Sequence, residues 1–239
     1  MSFRTKLWAA LGLVVLGLLV WKLGIDWARA VRTERGEVAV TGFRSAHFGD
    51  AEEAVRAAIE KDFPGAEVQS AESPVERTKL LVIRAKDILP ESGNAQVIYV
   101  LGYRSKALIQ VNVFWGTQLT PDITPRALGI TAALLKQHFA AQDFVAESVV
   151  QDKKLATGAV LVFSGSDAAG HLVRLLYQET DVPTKPVEQK PSSVAKTDKE
   201  KKDAAVASVE PKRKVAALRL SYVKDPKNPD IFKVEDGAF

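Results

Sequence analysis

Three histidines, His47, His138 and His171, are the groups in this chain best able to move a proton near neutral pH. No two of them stand at the spacing of a helical His-x-x-x-His ligand pair, so no metal site is expected. Chemistry without a metal would need a nucleophile and a base within reach of each other. The segment Ser164-Gly165-Ser166-Asp167-Ala168-Ala169-Gly170-His171 brings Ser, Asp and His within eight residues. It is where a hydrolase would be sought. Triad members normally arrive from separate segments, however. The segment also lacks the second glycine of a nucleophile elbow, and it joins two expected strands instead of leading a strand into a helix. Gly, Ser and Asp here read as turn chemistry. His138 falls near the apolar face of an expected helix, where a packed imidazole is the commoner case.

Asp87, Glu91, Asp122 and Asp152 are loop carboxylates that a fold could pair for acid–base work, but solvated loop acids are far more common. The chain has no cysteine, which removes thiol nucleophiles, thiolate metal ligands and disulfides. P-loop, dinucleotide-binding and EF-hand patterns are absent from the sequence. No catalytic residue, no cofactor and no metal is expected, and the chain is read as a non-enzyme.

The most distinctive feature is residues 7–21, fifteen residues without a charge. A spanning helix needs about 20 mostly apolar residues, and a signal-peptide core about 7–15. Counting through Ile25 gives nineteen, roughly 28 Å at 1.5 Å per residue. Leu7, Trp8, Leu11, Val14, Leu18 and Trp21 supply the lipid-facing surface, with the indoles at the two interfaces and Lys22 able to snorkel. The expectation is an uncleaved signal-anchor and a single-pass membrane protein. A cleaved signal peptide ending near Ala28-Arg29-Ala30 is the alternative. Basic residues are nearly even on the two sides (Arg4 and Lys6; Lys22, Arg29, Arg32 and Arg35). The large following body favours an extracytoplasmic location, with a cytoplasmic one as the alternative.

The chain is 46% apolar and carries a formal net charge of +4. Residues 183–214 hold nine Lys/Arg against five Asp/Glu, which accounts for all of it and leaves 24 against 24 elsewhere. A charge-balanced body argues against nucleic acid, which would need a basic face on the fold. The 183–214 segment has no aromatic residue and reads as a disordered insertion.

Periodicity lays out the rest. A short strand is expected over 37–43. A helix follows from Asp50, with Asp50 and Glu53 as a capping box. Strands are expected at 66–71 and 79–86, then a hairpin of 96–103 and 106–115 turning at Arg104-Ser105. Thr124-Pro125 opens a second helix. Strands at 144–150, 158–164, 171–178 and 215–223 complete the series. Residues 57–63 match 133–139 in polarity, as do 79–87 with 159–167 and 96–103 with 171–178. Two copies of helix plus four strands is the economical reading; two unrelated helix-and-meander units are the alternative.

The expected class is α+β: one N-terminal transmembrane helix, then an antiparallel-sheet body with two main helices in a tandem helix-plus-four-strand arrangement. The segments are a tail, membrane helix and extension (1–35), a connector (36–49), a first unit (50–119) and a second unit (120–239). Phe114, Trp115 and Leu119 form a candidate contact surface, although Trp115 shares the face of Val111 and Val113 and so fits a core. The expected function is an envelope scaffold or accessory subunit that binds the bilayer and another protein. The alternatives are a ligand-binding module with a pocket between helices and sheet, and a hydrolase of unrecognised type.

Overall fold

The structure, a computed structural model, describes residues 38–183 and 212–234. Within them the chain opens with a tight hairpin, β1 (Gly42–Phe43) and β2 (Ala46–His47), and continues into α1 (Glu52–Asp62), β3 (Gln69–Glu72), β4 (Lys79–Lys86), β5 (Asn94–Leu101) and β6 (Leu108–Gly116). Then come α2 (Pro125–Ala140), a 3-10 turn at Ala146–Ser148, β7 (Val150–Lys154), β8 (Val160–Ser166), β9 (Leu172–Pro183) and β10 (Lys212–Val223).

Strands β3 to β10 form one antiparallel sheet in the order β3-β4-β5-β6-β10-β9-β8-β7. Each set of four is a meander whose neighbours in sequence are neighbours in space. The last strands of the two meanders, β6 and β10, pair at the centre. Their register sets Trp115 opposite Leu218 and Val113 opposite Leu220, all four buried. Because side chains alternate along a strand, this register commits one whole face to the core. Leu81, Ile83, Val97, Tyr99, Val111 and Leu175 lie on it, all nearly inaccessible. Helix α2 covers β8, β9 and β10, and α1 adds Val55, Ala58 and Ile59 to the same core. Thr124 starts α2 as expected: its hydroxyl accepts from the Ala127 N–H at 3.1 Å, and proline follows.

The expected class is corrected. The described protein is mostly β, an eight-stranded antiparallel sheet and a two-stranded one with two helices, and among the described residues no helix is long and apolar enough to cross a membrane. The helices contribute only 11 and 16 residues, whereas β9 and β10 run to 12 residues each. The anchor residues Leu7, Trp8, Leu11, Val14, Leu18, Trp21 and Lys22 lie outside the described residues, as does 184–211 of the expected insertion.

Smaller differences have local causes. The capping box is not made. Asp50 turns its carboxylate back to the His47 N–H at 2.7 Å, while its carbonyl accepts from the Leu108 N–H. These contacts keep the chain extended through Ala51, which caps α1 without a side-chain bond. The expected strand over 37–43 shrinks to the two residues of β1. The strand expected over 144–150 is displaced to Val150–Lys154, because Phe144 leaves the sheet to pack on Phe163, 5.3 Å between ring centroids.

Candidate protein-binding face

Opposite the helices, the sheet presents a second face that no helix covers among the described residues. Register alone specifies its side chains, since directly paired residues of antiparallel strands project to the same side. One row runs across seven strands as Arg84, Gln96, Phe114, Arg219, Leu176, Leu161 and Lys153. At about 4.8 Å between strands it is roughly 29 Å long. The next row reads Gln69, Val82, Ile98, Asn112, Ser221, Arg174, Ser164 and Val150. Lys86 lies one step further along β4, opposite Asn94. Arg84, Lys86, Lys153, Arg174 and Arg219 are exposed, and none forms an ion pair among the described residues. Neither row contains Asp or Glu.

Two of these arginines sit diagonally on adjacent strands, Arg174 two residue pairs from Arg219 along the ladder and so on the same face. Burial, and then the charge of Arg174, holds the Arg219 guanidinium below its ordinary pKa. The Arg219 guanidinium lies 6.0 Å from the centroid of the Phe114 ring. Ser221 donates to Asn112 Oδ1 at 2.7 Å, and Gln110 Nε2 donates to the same oxygen at 2.9 Å, so the polar side chains beside the pair are fixed. Residues 225–234 cross one end of the face. A cavity of about 240 Å³ lies beneath them, and its lining includes Glu76, Arg174, Arg219, Ser221, Pro229 and Ile231.

That tail is pinned at two turns. The Asp230 carboxylate accepts from the Arg104 and Ser105 N–H groups at 2.9 and 2.8 Å, and its carbonyl accepts from the Tyr103 N–H at 2.8 Å. Burial by itself would raise the Asp230 carboxyl. The hydrogen bonds from Ser105 and Arg104, together with the Arg104 charge, outweigh burial and lower it. Phe232 donates its N–H to the Glu76 carbonyl at 2.8 Å and packs edge-on against Tyr103.

The structure separates the three residues expected as one contact surface. Phe114 is half-buried on the open face, and Trp115, 2% exposed, points into the core. Adjacent residues of one strand cannot share a face. Leu119 is half-buried in the loop before α2, its carbonyl 3.5 Å from Asn94 Nδ2. Sequence reasoning missed the basic residues. Their signal was there, as Arg84 and Lys86, and Arg174 beside Leu172 and Leu176, at a period of two within apolar strands.

The histidines take separate roles. His47 is exposed on β2. His138 is also exposed, stacked edge-on against Phe139 with Nε2 2.8 Å from Gln142 Nε2. His171 pairs with Asp167: Nδ1 lies 3.1 Å from Oδ2, and its N–H donates to Oδ1 at 2.8 Å. The same Oδ2 accepts from the Val40 N–H at 2.8 Å. Asp167, 5% exposed, thus closes the β8–β9 turn and ties the segment around Val40 to it. No serine hydroxyl is bonded to the His171 ring among the described residues. Asp152, at φ +52°, is paired with Lys136 on the helix side. No group of three His, Asp or Glu among the described residues is placed to hold a metal.

A second concavity of about 350 Å³ opens between α2, the β1–β2 turn and the sheet. Phe43, Leu89, Leu135, Phe139 and Leu220 form apolar walls. Arg44, Trp115 and Tyr222 also line it. Trp115 Nε1 is buried without a hydrogen-bond partner. Burial pushes the Tyr222 hydroxyl up to about 12, so it stays a neutral donor at physiological pH.

The described residues thus form an eight-stranded antiparallel sheet with helices on one face and exposed bases on the other. No family model matches the chain, and no curated protein or solved structure matches it either.

Proposed function

We propose that this chain is a non-catalytic envelope scaffold or accessory subunit, held at a membrane through residues 7–21 with its body on the extracytoplasmic side, and that its open sheet face binds an acidic protein partner. One observation carries the reading: the two rows crossing that face hold four bases and no acid, with half-buried Val82, Ile98, Phe114, Leu161 and Leu176 between them. An apolar centre with arginines is the composition of a protein interface. The Arg174–Arg219 pair repels itself, and a partner carboxylate set between the two would relieve that repulsion.

Charge argues against other occupants. A second copy laid face to face would oppose bases to bases. The undescribed 184–211 segment holds six Lys against five acids, so it is no acidic ribbon. Single-stranded nucleic acid is favoured by several aromatic stacking platforms, whereas Phe114 is the one aromatic residue in the two rows. Membrane attachment rests on the fifteen uncharged residues and their flanking indoles.

The test is photocrosslinking in native membranes without overproduction, with p-benzoylphenylalanine at Phe114 and, as a control on the helix side, at exposed Ile130. The reading expects a single protein adduct from position 114, mapped to an Asp/Glu-rich peptide and lost when Arg174 and Arg219 are both changed to Glu. Adducts to lipid or nucleic acid only, or the same adduct from position 130, would sink it.

A further inference from the structure

We propose that the concavity between α2 and the sheet binds a small amphipathic monoanion, an apolar body of medium-chain acyl or aryl size ending in a carboxylate. The site is separate from the open face, since it lies on the helix-covered side of the sheet and is lined by Trp115, Leu220 and Tyr222. Its 350 Å³ is at the small end of ligand pockets, which run from about 300 to 1,000 Å³. The walls are aliphatic and aromatic, and no Asp or Glu lines it. The side-chain donors along it include Arg44 and the Tyr222 hydroxyl. His138 at the rim is engaged with Gln142.

One detail points to an occupant with an acceptor. Arg44 is held at the mouth over the ring of Phe63, 4.5 Å from its centroid, with Nη1 donating to the Asp62 carbonyl at 3.3 Å. The Asp62 carboxylate accepts from the Ser45 N–H and hydroxyl at 2.9 and 2.8 Å, and Arg44 forms no ion pair among the described residues. An apolar cleft with an uncompensated guanidinium at its mouth selects an anion with a greasy body. Leu134, 56% exposed, forms part of the rim.

The experiment uses the full chain in neutral phosphatidylcholine vesicles and decanoic acid carrying a diazirine at its chain end. Light should label peptides containing Leu89 or Leu134. Excess decanoate should compete, and decanol should compete about tenfold less well, the cost of losing a charge-assisted hydrogen bond. Leu134→Glu should abolish labelling by placing a carboxylate at the rim, while Leu134→Gln should retain it. Both variants alter an exposed position, so circular dichroism should match the parent. Phe114→Ala and Arg219→Glu should label normally, which separates this site from the open face. The proposal is overturned by label confined to residues 1–37, by equal competition from decanol, or by unchanged labelling of Leu134→Glu.

Discussion

Replacing Asp230 with Ala should detach the C-terminal tail from the open face without unfolding the sheet. The carboxylate accepts two backbone N–H groups, from Arg104 and Ser105. Each such bond is worth about 0.5–1.5 kcal/mol net when water can replace it, and these donors are exposed enough for that. The combined loss is therefore about 1–3 kcal/mol of local stability, or roughly a 5- to 150-fold rise in the opened population. The Tyr103 N–H bond to the Asp230 carbonyl and the Phe232 N–H bond to Glu76 do not use the carboxylate, so they are lost only through opening. The assay is amide hydrogen exchange under native conditions, read at Tyr103, Arg104, Ser105 and Phe232. All four should lose protection together, while Val97, Val113 and Leu218 in the sheet centre keep theirs. Gly102→Ala should do the same by another route, because a Cβ there would sit 2.2 Å from Asp230 Oδ2 and 2.5 Å from Ser105 Oγ. Unchanged exchange at Phe232 in both variants, or equal loss of protection in the sheet centre, would refute the idea that this carboxylate locks the tail.

Acid should mimic the Asp230 change. The folded carboxyl is lowered, so its contribution is complete above the unfolded value of about 4 and disappears as pH falls through the folded value; the Phe232 amide shift should hold from pH 7 to about 5 and move below about 4. Gly165→Ala should destabilise the whole body by about 1–3 kcal/mol in urea melts, because the new Cβ would lie 2.9 Å from the Phe144 ring and 3.1 Å from Phe163 in a packed aromatic cluster; a neutral result would mean that Phe144 shifts aside freely.

Local pattern was enough to place most elements. In β6, Gln110 and Asn112 alternate with Val111 and Val113, so the face it buries follows from the period of two, whereas β4 and β5 carry the continuous apolar runs 80–83 and 97–101 and announce a strand without announcing its face. Thr124-Pro125 announces α2 because capping depends only on the next three residues. Where a long-range contact competes with a local signal, the local signal fails. Asp50 has the spacing of a capping box but spends its carboxylate on His47 and its backbone on Leu108, whose approach no local pattern records.

The open sheet face belongs wholly to the second kind. The sequence by itself determined that the bases and acids outside residues 183–214 cancel, and on that count a basic surface was not expected. Tertiary structure decided how they are distributed. On the helix side Glu52, Asp152 and Glu179 pair with Lys79, Lys136 and Lys214, whereas Arg84, Arg174 and Arg219 on the other side form no ion pair among the described residues, although Glu76 lines the cavity at the end of that face. Net charge is a sum over residues and is blind to position. The potential a partner meets depends on which side chains share a face, and that is fixed by the pairing of β6 with β10, more than a hundred residues apart in the chain.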